Sequence, residues 1–141
     1  MSTEPADGSG MRKVSELPIT LRWRDLDAFN HVNNSTFLTY LEEARLRWLA
    51  QLAEPWDRGS VSPLLAAVHV NYRRQLNWPG EIVVQLFCER IGNTSLTIGH
   101  RIVDAKDEAI VYLDGNAVMV WIDTASARPV QLPQPVRDLC G

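Results

Sequence analysis

The sequence predicts an α+β domain: one long central helix packed against a five-stranded antiparallel sheet. Three observations carry this. Residues 37–52 repeat their apolar side chains at helical spacing. One run before that stretch and four after it alternate with the period of a strand. Short segments rich in Pro, Gly and Asn separate the later runs, and tight turns join antiparallel neighbours.

Residues 1–15 are small, polar and rich in Gly and Ser, and read as a disordered tail ahead of a single domain over 16–141. "PITLRWR" (18–24) is the first strand, with Ile19, Leu21 and Trp23 on one face. The helix follows. Phe37, Leu41, Ala44, Trp48 and Leu52 form its stripe, widened by Leu38, Tyr40 and Leu49. Asn33 or Asn34 is placed to cap its start. Glu43 and Arg47 stand four apart in the favourable order. Glu54-Pro55 is expected to end it, because the residue before proline avoids the helical region.

"LLAAVHVNYRRQL" (64–76) is the next strand, and "NWPGE" (77–81) its turn. "EIVVQLFCER" (81–90), "SLTIGHRIVD" (95–104) and "AIVYLDGNAVMVWID" (109–123) complete the sheet. Gly115, inside the last strand, suggests a bulge or a close backbone approach. Pro129, Pro133 and Pro135 make the C-terminal segment extended.

The composition sets limits. The chain has 141 residues, 45% apolar and 22% charged, with a net charge of −3, so a nucleic-acid footprint is not expected. No apolar run approaches the roughly 20 residues that cross a bilayer. Cys88 and Cys140 lie far apart in sequence and read as free thiols in a reducing cytoplasm. One helix covers one sheet face, and the chain carries five tryptophans, so an apolar surface covered by a second copy is expected.

Between the first strand and the helix lies "DLDAFNHVNN", residues 25–34. A helix start carries unpaired backbone N–H groups and about half a positive charge, so it can stabilise an oxyanion. A carboxylate beside it, Asp25 or Asp27, could attack an acyl group or activate a water. On spacing alone, the same aspartates could simply hold a turn. The three histidines are too dispersed to suggest a metal site.

"RWRDLDAFNHVNNSTFLTYLEEAR" resembles the signature of the hotdog-fold thioesterases of the 4-hydroxybenzoyl-CoA thioesterase type: Asp-x-Asp, two residues, usually Gly, His-Val-Asn-Asn, then a helix. "VNYRRQLNWPGEIVVQ", "IGNTSLTI" and "VWIDTASARPVQLP" resemble later segments of that family, so the likeness runs over about residues 17–138. The resemblance implies a hotdog fold, with the sheet wrapped around its helix, and acyl-CoA thioesterase activity. It implies no metal or redox cofactor, CoA being part of the substrate, and a homodimer or homotetramer with its site at a subunit interface. Asp27 matches the catalytic carboxylate. The Asn34 backbone N–H matches the group that polarises the thioester carbonyl, and His31 and Asn33 match the loop beside it. Asn30 stands where glycine is usual, and asparagine tolerates the positive φ such a position needs.

Further assignments are expectations of the same reading. Asp25 is structural, paired with a nearby Arg or a backbone N–H. His31 either holds the turn or touches substrate. Thr94 and Ser95 could bond a pantetheine arm, and Arg73, Arg74 and Arg90 could meet CoA phosphates. Glu42 and Glu43 read as a solvated face or a partner for Arg45, and His69 and His100 as packing or surface residues. Phe29, Trp48, Trp56 and Trp78 are candidate walls of the acyl pocket. Two other functions compete: a catalytically silent hotdog domain that binds acyl-CoA or a hydrophobic metabolite, and a hydratase using Asp25 with His31.

Overall fold

The computed structural model describes residues 11–51 and 60–141. Its elements are strand β1 (Arg12–Thr20), a 3-10 turn (Trp23–Asp25), helix α1 (Asn34–Leu49), strands β2 (Val61–Tyr72), β3 (Glu81–Ile91), β4 (Ser95–Asp104) and β5 (Val111–Asp123), and helix α2 (Gln134–Cys140). The five strands form one antiparallel sheet in the order β1-β3-β4-β5-β2. Alternation of apolar residues explains the inner faces: Ile82, Val84 and Leu86 of β3 and Leu96, Ile98 and Ile102 of β4 are buried in one cluster. Phe37, Leu41, Ala44 and Trp48 of α1 enter the same cluster. No helix among the described residues is long and apolar enough to cross a membrane.

Several boundaries differ from the sequence reading. β1 begins at Arg12, inside the stretch read as a tail, because backbone pairing with β3 takes in Arg12 and Lys13. Residues 1–10 lie outside the described residues. The strand expected at 18–24 ends at Thr20, and Trp23 leaves the sheet for the 3-10 turn. β2 covers Val61–Tyr72 rather than 64–76. It is not a neighbour of β3. It pairs with β5 at the sheet edge, and residues 73–80 carry the chain to the other side. Turn residues signalled a reversal there but did not specify the partner.

The central helix is also shorter than expected. It has 16 residues, about 24 Å at 1.5 Å per residue. The Ala50 N–H bonds to the Leu46 carbonyl, and the Gln51 N–H reaches only three residues back, to Trp48, so the chain tightens out of the helix. Leu52, Glu54 and Pro55 lie outside the described residues. The C-terminal segment, expected to be extended, finishes in α2. Pro135 sits in its first turn, where a missing N–H costs nothing, and Val136 and Cys140 are buried. Cys140 thereby comes to rest beside Cys88, although both thiols are free. Arg12, the strand partner of Cys88, donates to the Cys140 carbonyl at 3.2 Å. Burial, then the neighbouring thiol, pushes the Cys140 pKa up.

Gly115 marks a close backbone approach. Its φ is +145°, and a Cβ there would run into the His69 carbonyl of β2. Leu41 is fully buried at the centre of α1. Its truncation to alanine is expected to cost about 2–5 kcal/mol in denaturant unfolding, the cost of a core cavity. A loss below about 1 kcal/mol would mean that α1 is not packed on the sheet.

Candidate active site

The polar stretch folds as a small hairpin leading into a capped helix. Leu26 and Val32 form an antiparallel bridge. The Asp27 N–H bonds to the His31 carbonyl at 2.8 Å, and the Asn30 N–H to the Asp27 carbonyl at 3.2 Å. This is a three-residue hairpin loop, which needs a left-handed residue at its third position. Asn30 supplies it with φ 62°. The substitution of Asn for the usual Gly is therefore accommodated in the backbone.

Asp25 fixes this hairpin to the body of the protein. Its side chain is buried, 3% exposed. One carboxylate oxygen accepts from the Arg22 N–H at 3.0 Å and from the Tyr40 hydroxyl at 2.6 Å, and the other from the Arg22 guanidinium at 3.0 Å. Its backbone carbonyl accepts the Asn33 N–H at 3.0 Å. Burial pushes the Asp25 pKa up, but the bonds from Tyr40 and Arg22 outweigh it and hold the carboxyl below its ordinary value. Burial and the Asp25 charge push the Tyr40 pKa up. Asp25 is thus structural, as expected, and its side chain is committed to Arg22 and Tyr40. That commitment argues against a hydratase pairing with His31. Tyr40, read from the sequence as part of the apolar stripe, is the missed member. A tyrosine spaced to face the preceding loop was the only signal.

Asp27 is placed differently. It is half-buried. Its Oδ1 accepts from the Phe29 N–H at 2.8 Å and the His31 N–H at 3.3 Å. None of the described hydrogen bonds uses its Oδ2. Asn33 is the helix cap: its side chain accepts from the Ser35 N–H at 2.8 Å and the Ser35 hydroxyl at 2.6 Å. The Asn34 N–H, first of the helix, has no acceptor among the described hydrogen bonds. Tyr72 of β2 donates to the Asn34 carbonyl at 3.1 Å, tying the helix start to the sheet edge.

Two cavities meet at Asp27. One, of about 350 Å³, is lined by Asp27, His31, Asn34, Phe37, Tyr72, Arg73 and Arg74. The other, of about 470 Å³, is lined by Trp23, Leu26, Asp27, Ala28, Asn30 and Trp78. The hairpin, the helix start and both arginines therefore come together. Arg73 is paired with Asp114 at 3.1 Å, whereas Arg74 has no described ion pair.

Thr94 and Ser95 do not join them. They line neither cavity. Their turn is closed by the Gly92 N–H on the Ser95 carbonyl, and it docks on residue 132 through Asn93. Of the expected walls, Trp78 lines the larger cavity, Trp48 is 1% exposed in the core, and Phe29 is 78% exposed. Trp56 lies outside the described residues. Trp23, Tyr72 and Gln75 border the cavities without having been singled out in the sequence.

The rival acids lie elsewhere. Glu43 pairs with Arg47 at 2.6 Å on the exposed helix face. Glu42 is exposed beside Arg45 in a cleft between α1 and β2. His100 is a packing residue, 3.0 Å from the His69 carbonyl, and burial pushes its pKa down to about 4. Among the described residues no His, Cys, Asp or Glu cluster is arranged to hold a metal.

A half-buried carboxylate and a helix start whose first N–H has no described acceptor thus line one cavity, on a hotdog fold. The sequence pattern of the thioesterase-like superfamily matches residues 21–139, and the chain belongs to that superfamily. Among solved structures, it is 47% identical to a candidate acyl-CoA thioesterase of Xanthomonas campestris, with TM-score 0.77 over 86% of this chain and 100% of that one. It is 29% identical to a candidate thioesterase of Pseudomonas aeruginosa, with TM-score 0.86 over 92% and 100%. It is 25% identical to an acyl-acyl carrier protein thioesterase of Arabidopsis thaliana over 92% of this chain and 69% of the relative. The expectation of a thioesterase is borne out at the level of enzyme class.

The Asp25 tether generates a pH-dependent prediction. Its depressed pKa means the ionised form stabilises the fold above the unfolded carboxyl value of about 3.9, and this is lost as pH falls through the lower folded value. Tyr40→Phe removes one donor. It is expected to cost about 1.5–3 kcal/mol at neutral pH and to move the acid-unfolding midpoint to higher pH, read by circular dichroism. An unchanged midpoint would show that Tyr40 does not hold the carboxylate.

Proposed function

We propose that the protein hydrolyses acyl-CoA thioesters to the free acid and CoA, using Asp27 and the start of α1. One observation carries the reading: Asp27, whose Oδ2 has no described protein partner, and Asn34, whose N–H has none, line the same cavity. The substrate carbonyl oxygen accepts from the Asn34 N–H, where the helix start favours the negative charge of the tetrahedral state. Asp27 then acts in one of two ways. It attacks the carbonyl carbon and expels the CoA thiolate, leaving a mixed anhydride that water hydrolyses. Alternatively it takes a proton from a water that attacks directly. Either route balances with one water and needs no metal or redox cofactor.

The Oδ1 bonds to Phe29 and His31 support this role, because they fix the carboxylate and leave Oδ2 without a described protein partner. His31 serves this geometry through its backbone. Asn30 shapes the hairpin and Asn33 caps the helix. Arg74, beside the Asp114-paired Arg73 in the cavity lining, offers positive charge to the CoA phosphates. The carrier-protein thioesterase of Arabidopsis makes acyl carrier protein an alternative carrier. The working form is a cytoplasmic homodimer or homotetramer. Its support is the sheet edge: β2 has β5 on one side only, and Leu64, Leu65 and Val68 along it are exposed.

Asp27→Asn keeps the shape and removes the base or nucleophile. Free-thiol release from an acyl-CoA panel is expected to fall about a hundred- to ten-thousand-fold, while calorimetry still detects substrate binding. Undiminished turnover would remove Asp27 from the mechanism. Binding without turnover in the unaltered protein would favour the silent-binder reading.

A further inference from the structure

We propose that Trp23 and Trp78 form the platform for the acyl group, and that it selects aromatic acyl groups over short aliphatic ones. This rests on the thioesterase reading above. A thioester has two limbs that diverge from its carbonyl carbon. One is long and carries phosphates, and the other is the acyl group. Asp27 lies where two cavities meet. The cavity with Arg73 and Arg74 suits the phosphate-bearing limb. With the carbonyl between Asp27 and Asn34, the acyl limb passes over Asp27 into the other cavity.

That cavity has the matching chemistry. Apart from Asp27 and Asn30, its lining is Trp23, Leu26, Ala28 and Trp78. Its volume, about 470 Å³, falls within the range of roughly 300–1,000 Å³ usual for small-molecule sites. The two indoles meet edge to face, with centroids 5.1 Å apart and planes at 82°. Both indoles nevertheless stay open to solvent: Trp23 is 67% exposed and Trp78 41%. Neither belongs to the buried core. Two large indoles held in contact yet open to solvent, next to a carboxylate with a free oxygen, suit a ring that stacks on them.

The test compares benzoyl and acetyl thioesters, each on CoA and on N-acetylcysteamine, which lacks the nucleotide. Trp23→Leu and Trp78→Leu keep apolar bulk but remove the ring face. The benzoyl-to-acetyl ratio of kcat/KM is expected to fall about tenfold in each variant, on both carriers. An equal loss for both acyl groups, confined to the CoA thioesters, would mean that the indoles hold the adenine and would overturn the proposal. So would a change in oligomeric mass with an unchanged ratio, which would make the pair a subunit contact. Calorimetry separates this from the reaction itself. In Asp27→Asn, benzoyl-CoA is expected to bind more tightly than acetyl-CoA, and adding Trp78→Leu should abolish the difference. That preference decides the platform even if no thioester is cleaved, a result that would sink the thioesterase reading alone.

Discussion

The site depends on one buried carboxylate. Asp25 is taken out of water at the point where β1 gives way to the hairpin, and such a burial is tolerated only when the charge is met by donors. Arg22 provides two of them and Tyr40 the third. Tyr40 projects from α1, so the bond fastens the loop to the helix it precedes. The Asp25 carbonyl takes the Asn33 N–H as well. One residue thereby fixes the hairpin that carries Asp27 relative to the helix start that carries Asn34.

Once that distance is fixed, the rest of the site follows from local geometry. The hairpin loop needs a left-handed third residue and has Asn30 there. The helix needs a cap and has Asn33, whose side chain takes the Ser35 N–H and leaves that of Asn34 unused. Tyr72 holds the Asn34 carbonyl from the sheet edge. The Oδ1 of Asp27 is taken up by its own loop. Among the described hydrogen bonds, the second Asp27 oxygen and the Asn34 N–H have no partner; Arg73 and Arg74 line one of the two cavities that share Asp27, and Trp23 and Trp78 the other.

Much of this was legible in the sequence because it is written in local rules. The apolar stripe of α1, the cap at Asn33, the left-handed tolerance of Asn30 and the close approach at Gly115 each involve residues a few positions apart or a single backbone requirement. The structural part of Asp25 was also readable, as an aspartate beside Arg22 that could pair with an Arg or a backbone N–H. The failures were non-local. "NWPGE" announces a reversal, but only the pairing of β3 with β1 and of β5 with β2 decides where the chain goes next. Residues 12–15 look like a tail until the β3 edge recruits them. Trp48 and Trp78 carry the same side chain, and only packing sends one to the core and the other to a cavity. Pro129, Pro133 and Pro135 suggest an extended segment, yet Pro135 in a first turn is compatible with a helix.

The most direct test of the central claim is the amide spectrum of the protein labelled with nitrogen-15, titrated with a CoA ketone in which a methylene replaces the thioester sulfur. Such a ligand presents the carbonyl but cannot be cleaved. If the helix start polarises the carbonyl, the Asn34 amide proton should move downfield on binding, with smaller shifts at Phe29 and His31 as Asp27 adjusts. Binding with the Asn34 resonance unmoved, and shifts confined to residues remote from Asp27, would contradict the account.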